Sequence, residues 1–257
     1  PTIAPYQYDE TLYDDEGQIL INEEPSLEHP LGTTDVGYDV LSRVLVGARP
    51  TVITGLLGGS IIIAIGGVIG ITAGYVGGRT ENILMRFTDL AYGIPLLPTA
   101  LVVVGLLGIG FLTSIIVIGL IIWRGTARVL RSQVLQIKER PYVLAAKSTG
   151  ASTPRIIVKH ILPNVGTMVI LFFALSVGYT ILIQAGLAYL GVSDPAVPAW
   201  GIMVRNAQTA GRMSASWWWS IPPGLLISIT VMSTFMFGRG YENVVGSGQD
   251  DALAEAG

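Results

Sequence analysis

The 257-residue chain is 51% hydrophobic and only 13% charged, with a net charge of −3 and no cysteine. So apolar a composition excludes an ordinary soluble domain of this size, and the missing cysteine excludes disulfides, thiolate metal sites and a cysteine nucleophile together. A membrane protein is the class that remains, and 32 glycines suit it.

Taken in chain order, residues 1–49 carry ten acids against Arg43 and Arg49. Residues 1–48 are therefore expected as an extracytoplasmic acidic segment with one short interfacial helix. Crossing a hydrocarbon core of about 30 Å takes roughly 20 apolar residues. Four charge-free stretches exceed that: Pro50–Gly78 (29 residues), Leu90–Trp123 (34), Ile161–Ser193 (33) and Met213–Gly238 (26). The second is long enough to fold back on itself, and Gly108-Ile109-Gly110 offers the turn. The pattern predicts a membrane domain over 49–240, with helices near 51–75, 90–107, 111–133, 163–190 and 221–238. Arg124 and Arg128 fall inside the third of these and must snorkel or reach water. A cytoplasmic loop is expected over 134–160 and a cytoplasmic tail over 241–257.

Charge sets the orientation. From Arg124 to Lys159 there are eight basic residues and one acid, Glu139, and short basic loops stay in the cytoplasm. The helices near 51–75, 90–107 and 111–133 precede that loop, which places the acidic start outside and the C-terminus inside. The exported segment that opens at Pro1 leads to the expectation of a further transmembrane helix upstream. Arginine outnumbers lysine twelve to three, and with the acidic start this composition suits a surface kept hydrated in high salt.

Little points to catalysis. The only histidines are His29 and His160, their spacing suggests no serine–histidine–acid grouping, and no lysine follows a glycine as a phosphate-binding loop requires. No metal or other cofactor is expected in this chain, no enzyme activity and no nucleic-acid partner; if ATP is used, another chain binds it. Gly66, Gly70, Gly74 and Gly78 recur every four residues, a smooth strip along one helix face that Gly55 and Gly59 extend. Membrane helices are also simply glycine-rich, which leaves a second account of the same spacing. Trp217, Trp218 and Trp219 are expected to anchor a helix starting at Pro222 and Pro223 in the headgroup region. Asp89 is expected to pair locally with Arg86, three residues away. Gln184 suits either a pathway lining or a polar packing contact.

The stretch YVLAAKSTGASTPRIIVKHILPN, Tyr142–Asn164, concentrates small residues among basic ones. Ala145, Ala146 and Gly150 leave little side chain, Lys147, Ser148, Thr149 and Arg155 surround them, and Pro163 is expected to form a rigid elbow where the chain re-enters the membrane. The stretch reads as a docking surface for a partner or as an ordinary positive-inside loop. It resembles the coupling motif of ABC importer permeases: glutamate-alanine-alanine, three residues, glycine, nine residues, a hydrophobic position, any residue, leucine and proline. That motif falls on Leu144, Ala145, Ala146, Gly150, His160, Leu162 and Pro163, with Leu144 in place of the glutamate and His160 in place of the hydrophobic residue.

The HILPN ending is similar to the dipeptide, oligopeptide and nickel branch of these importers. So are HPLGTTDVGYDVLSRVLVGAR (with Tyr38 where arginine is usual), GYVGGRTENILMRFTDLAYGIPLLP and LGVSDPAVPAWG. The resemblance runs from His29 to about Gly240; FGRGYENVV, beyond it, matches poorly. It implies an all-α polytopic protein holding five helices of a six-helix type I ABC importer permease fold. It further implies a homologous permease partner, two cytoplasmic ABC ATPases, an extracytoplasmic substrate-binding protein, and alternating access driven by ATP. The ATPase-coupling surface would be Leu144, Ala145, Ala146, Lys147, Gly150, Ala151, His160, Leu162 and Pro163, in a plasma-membrane protein carrying di- or oligopeptides. Nickel chelates and sugars are the other cargoes such permeases carry. A secondary transporter would instead need coupling charges in mid-span, and a membrane scaffold would have no use for a basic docking element.

Overall fold

The computed structural model describes residues 4–254, with side chains described as far as Val245. Its helices are α1 (Val40–Val76), α2 (Gly78–Tyr92), α3 (Leu96–Leu107), α4 (Phe111–Ile137), α5 (Pro141–Ser148), α6 (Thr153–Ile156), α7 (Leu162–Tyr189), α8 (Trp200–Thr209) and α9 (Trp217–Ala254). A π-helical turn, Ile157–Ile161, joins α6 to α7. Among the described residues four helical stretches are long and apolar enough to cross a membrane: Val40–Val76, Phe111–Ile137, Thr153–Tyr189 and Trp217–Val245. The pair α2 and α3 passes the same test jointly but is bent by 87°.

Several helix boundaries differ from those expected from sequence. Among the described residues no separate interfacial helix precedes the first span; residues 40–49 are already part of α1, and Pro50 sits inside it. Near the proline the helix also bonds outward: the Thr51 hydroxyl donates to Gly47 O (2.8 Å), and the Trp200 indole donates to Val44 O (2.9 Å). Its start is fixed by Asp39, whose carboxylate accepts the Ser42 N–H at 2.7 Å as an N-cap. The span expected at 90–107 is two helices. Pro95 disfavours helical geometry at Ile94, so the chain turns at Gly93-Ile94 before α3 begins.

The tail expected from 241 is not separate either, since α9 continues as helix through Ala254; residues 255–257 lie outside the described residues. Pro222 and Pro223, expected to open that helix, lie a turn inside it. Trp218 and Trp219 are buried, the Trp218 indole donating to Thr33 O (3.3 Å), so only the half-exposed Trp217 is placed as an interfacial anchor would be. The reason is a contact distant in sequence: Gly32 leaves no room for a Cβ beside the Trp218 ring, so the N-terminal turn packs directly on the indole.

Contacts divide the chain into two compact units. One holds the residues through Leu56, with Ala100–Ile115 and Tyr179–Met232. In it the acidic start is tied to the first turns of α1: Tyr6 N–H donates to Ser42 Oγ (3.0 Å), Arg43 donates to Tyr8 O (3.0 Å), and buried His29 meets Asp39 at 3.2 Å. Gln184 is buried there, its amide N–H donating to Ser193 Oγ (2.9 Å) while its carbonyl oxygen has no hydrogen-bond partner among the described residues.

The second unit holds Leu57–Thr99, Ile116–Gly178 and the residues from Ser233 onward. Its apolar core gathers Ile71, Val134, Ile137, Val143, Ile156, Ile161 and Val165 from α1, α4, α5, α6, the π turn and α7.

Candidate functional site

The expected loop 134–160 is largely helical, and its small residues do two jobs. Pro141 opens α5 at its first turn, where a missing N–H costs nothing. The helix closes on a Schellman motif: Ala151 N–H bonds Ala146 O (3.1 Å) and Gly150 N–H bonds Lys147 O (3.1 Å), with Gly150 at φ +81°. Ala146 and Ala151, the pair that motif brings together, pack on the core of the second unit. Gly150 itself is exposed, and a Cβ built on it would meet nothing within 4 Å. The alanine and glycine spacing is thus first of all the signature of a capped short helix.

The opposite face is open. Leu144 is 44% exposed, and Tyr142, Ala145 and Lys147 are exposed with it. Val143, buried beside Ala146, anchors the helix from beneath. Leu162 and Pro163 are exposed, while His160 is half-buried with its ring 6.3 Å from that of Tyr142.

Pro163 makes no elbow: helix continues from Thr153 to Tyr189. The π turn is what absorbs it. Leu162 N–H reaches back five residues to Ile157 O, and the Asn164 side chain donates to His160 O (2.7 Å), so the ladder is re-formed around the residue that has no N–H.

Beneath α5, α1 and α4 touch backbone to backbone. A Cβ on Gly66 would lie 2.7 Å from Trp123 O, one on Gly74 2.9 Å from Arg131 O, and one on Gly70 inside 3.0 Å of Ala127 O. Gly78, expected on the same strip, is not on it. The helix ends at Val76, Gly77 and Gly78 both take positive φ, and nothing lies within 4 Å of a Cβ at Gly78. Its role is the turn into α2.

One further arrangement was not foreseen. Arg124, Arg128 and Arg131 recur along one face of α4 with Lys138 just past its end; the three arginines bond α2 and the turn that follows it, and Lys138 bonds the last turn of α1. Arg131 Nε bonds Glu81 at 2.7 Å, Arg128 bonds Asp89 at 2.6 Å, Arg124 donates to Ile94 O (3.0 Å) and Ala91 O, and Lys138 donates to Gly74 O (3.2 Å). The guanidinium groups of Arg124 and Arg128 also lie over the Tyr92 ring, at 5.0 and 3.9 Å. Asp89 therefore pairs across helices with Arg128 and not with Arg86. The spacing of i, i+4 and i+7 was the available signal, obscured because a basic run also satisfies the positive-inside rule.

A family model described as "Binding-protein-dependent transport system inner membrane component" matches residues 66–243, which include the glycine seam, α5 and the π turn. The chain belongs to this family. It is similar to the dipeptide transport system permease protein DppC of Bacillus subtilis, 37% identical over 90% of this chain and 70% of the relative. The oligopeptide permease protein OppC of the same organism is 36% identical over 98% of this chain and 78% of its own length. The glutathione transport system permease protein GsiD of Pectobacterium atrosepticum is 32% identical over 96% and 78%. Among solved structures, a chain of the MetNI methionine ABC transporter in an inward-facing conformation matches with a TM-score of 0.67, covering 79% of this chain and 96% of that one at 15% identity. The fold is shared with that transporter. This inner membrane component is accordingly an all-α, multi-pass ABC permease.

Proposed function

We infer that this permease carries di- or oligopeptides, paired with a second permease and driven by two cytoplasmic ATPases, and that α5 is where an ATPase docks. The carrying observation is that α5 presents Tyr142, Leu144 and Ala145 outward while Val143 and Ala146 sit in a core shared with α1, α4 and α7. A push on the open face is passed directly to three long helices, as alternating access requires. The peptide class is supported by the names of the relatives, and an extracytoplasmic binding protein by the family description. In this reading the chain itself hydrolyses nothing.

The acidic N-terminal segment then faces outward and α5 the cytoplasm. Because the protein has no cysteine, Gln18→Cys and Ser148→Cys report on opposite sides: an impermeant maleimide added to intact cells should label the first and spare the second. Labelling of both from one side sinks this topology.

The docking test uses Ala145, which is exposed and helical. Gly150 is unsuited, since any side chain there is strained by its φ of +81°, and Lys138 is no neutral control because it caps Gly74 O. Ala145→Trp should leave the thermal unfolding of the permease unchanged, while overpacking of a close contact, typically about 1 to 3 kcal/mol, weakens ATPase docking several-fold to more than a hundredfold. Substrate-stimulated ATPase activity in proteoliposomes is the readout. Full stimulation in Ala145→Trp would mean that α5 is only an anchor.

A further inference from the structure

A recess of about 220 Å³ opens within the second unit, and it is lined by a cation and a carboxylate that do not neutralise each other. Arg140, the residue immediately before α5, and Glu242, on α9, both border it, yet neither takes part in an ion pair among the described residues. Gln133, Gln136 and Thr167 add polar groups, and Ile137 and Met168 an apolar lining. Of the polar set, Asn164 has its side chain engaged, with its amide on His160 O, and among the described residues the others have no side-chain hydrogen bond.

An anion placed there alone would meet Glu242, and a cation alone would meet Arg140. A zwitterion satisfies both: its carboxylate takes the planar fork of Arg140 and its ammonium the carboxylate of Glu242, while the glutamine amides suit a peptide group. The volume of about 220 Å³ admits an amino acid or a small dipeptide.

We propose that this recess binds a small zwitterion, an amino acid or short peptide with free termini, between Arg140 and Glu242. The bound ligand bridges α9 to the residue that leads into α5. The charges of the recess alone select this ligand, so the proposal stands apart from the importer reading and deepens it only by adding a peptide-sized site.

Its test is equilibrium dialysis of radiolabelled Ala-Ala against the complete solubilised transporter without its binding protein. Saturable binding is expected, at least tenfold weaker in Arg140→Gln and in Glu242→Gln, and the doubly capped N-acetyl-Ala-Ala-amide should not compete. Thermal unfolding shows whether each variant is folded, and Glu242→Gln decides alone if Arg140→Gln is not. No saturable binding, equal binding in the folded variants, or equal competition by the capped peptide overturns the proposal. Peptide uptake by proteoliposomes supplied with binding protein is read separately. Uptake without Ala-Ala binding removes the recess and keeps the importer; binding through both residues without uptake does the reverse.

Discussion

The seam of α1 on α4 and the closing turn of α5 are both written in small residues, for opposite reasons. At Gly66, Gly70 and Gly74 the backbone is ordinary helix and the neighbouring helix leaves no volume for a Cβ. At Gly150 there is ample volume and an unusual backbone, φ +81°. Glycine serves space in the first place and torsion in the second. A substitution that tolerates one demand fails the other, so the two roles separate experimentally.

The largest effect belongs to the seam. A methyl at Gly70 meets the Ala127 carbonyl of another helix's backbone, which cannot rotate away as a side chain would. Gly70→Ala should cost roughly 1 to 3 kcal/mol, the usual range for overpacking, and Gly70→Val more. Thermal unfolding of the purified permease should show the ordered loss wild type, alanine, valine, with valine also lowering the amount of protein in the membrane. Equal stability of all three would mean that α1 and α4 are further apart than described.

A smaller effect is expected at the turn. Gly150→Ala meets nothing in space, and its penalty is the left-handed backbone, about 1 to 2 kcal/mol for a residue with a Cβ. Asparagine enters that region more readily, so Gly150→Asn should recover part of the loss. Thermal unfolding separates them: asparagine no better than alanine would show that this turn does not set the stability. At Gly70, where bulk decides, asparagine should be worse than alanine.

Sequence reasoning reached the class of fold and, for Gly66, Gly70 and Gly74, the four-residue glycine period. What it misplaced follows from information that a linear pattern does not carry. Pro50 and Pro163 looked like boundaries, because the rule that proline stops a helix assumes no help from outside the helix. At Pro163 a five-residue backbone bond and the Asn164 side chain supply that help, and Pro50 stands inside α1 all the same. Gly78 continued the period by count, but the helix had already ended at Val76. Trp218 and Trp219 resembled a surface belt until Thr33, far away in the chain, supplied the indole's acceptor and the burial. Arg124 and Arg128 had been expected to snorkel or reach water; Arg128 is indeed half exposed, and what the pattern did not carry is that Tyr92, Asp89 and the carbonyls of Ala91 and Ile94 receive the two side chains.

The smallest expected effect sharpens the comparison most, because it concerns a glycine inside the seam's own sequence. Gly67 lies between Gly66 and Gly70 on α1, has ordinary helical torsions, and would place a Cβ 3.9 Å from Leu130 Cδ1, a comfortable distance to the mobile end of a side chain. Neither demand applies to it, since space is available and the backbone is right-handed. What remains is intrinsic preference, in which a helical alanine exceeds glycine by up to about 1 kcal/mol in water. Within a membrane the unfolded alternative is itself helical, which shrinks that gain. Gly67→Ala should therefore leave the unfolding temperature unchanged or raise it slightly, beside the clear fall in Gly70→Ala three residues away. A fall at Gly67 matching that at Gly70 would show that α1 needs glycine for flexibility along its whole length, and the distinction between space and torsion would not hold for this helix.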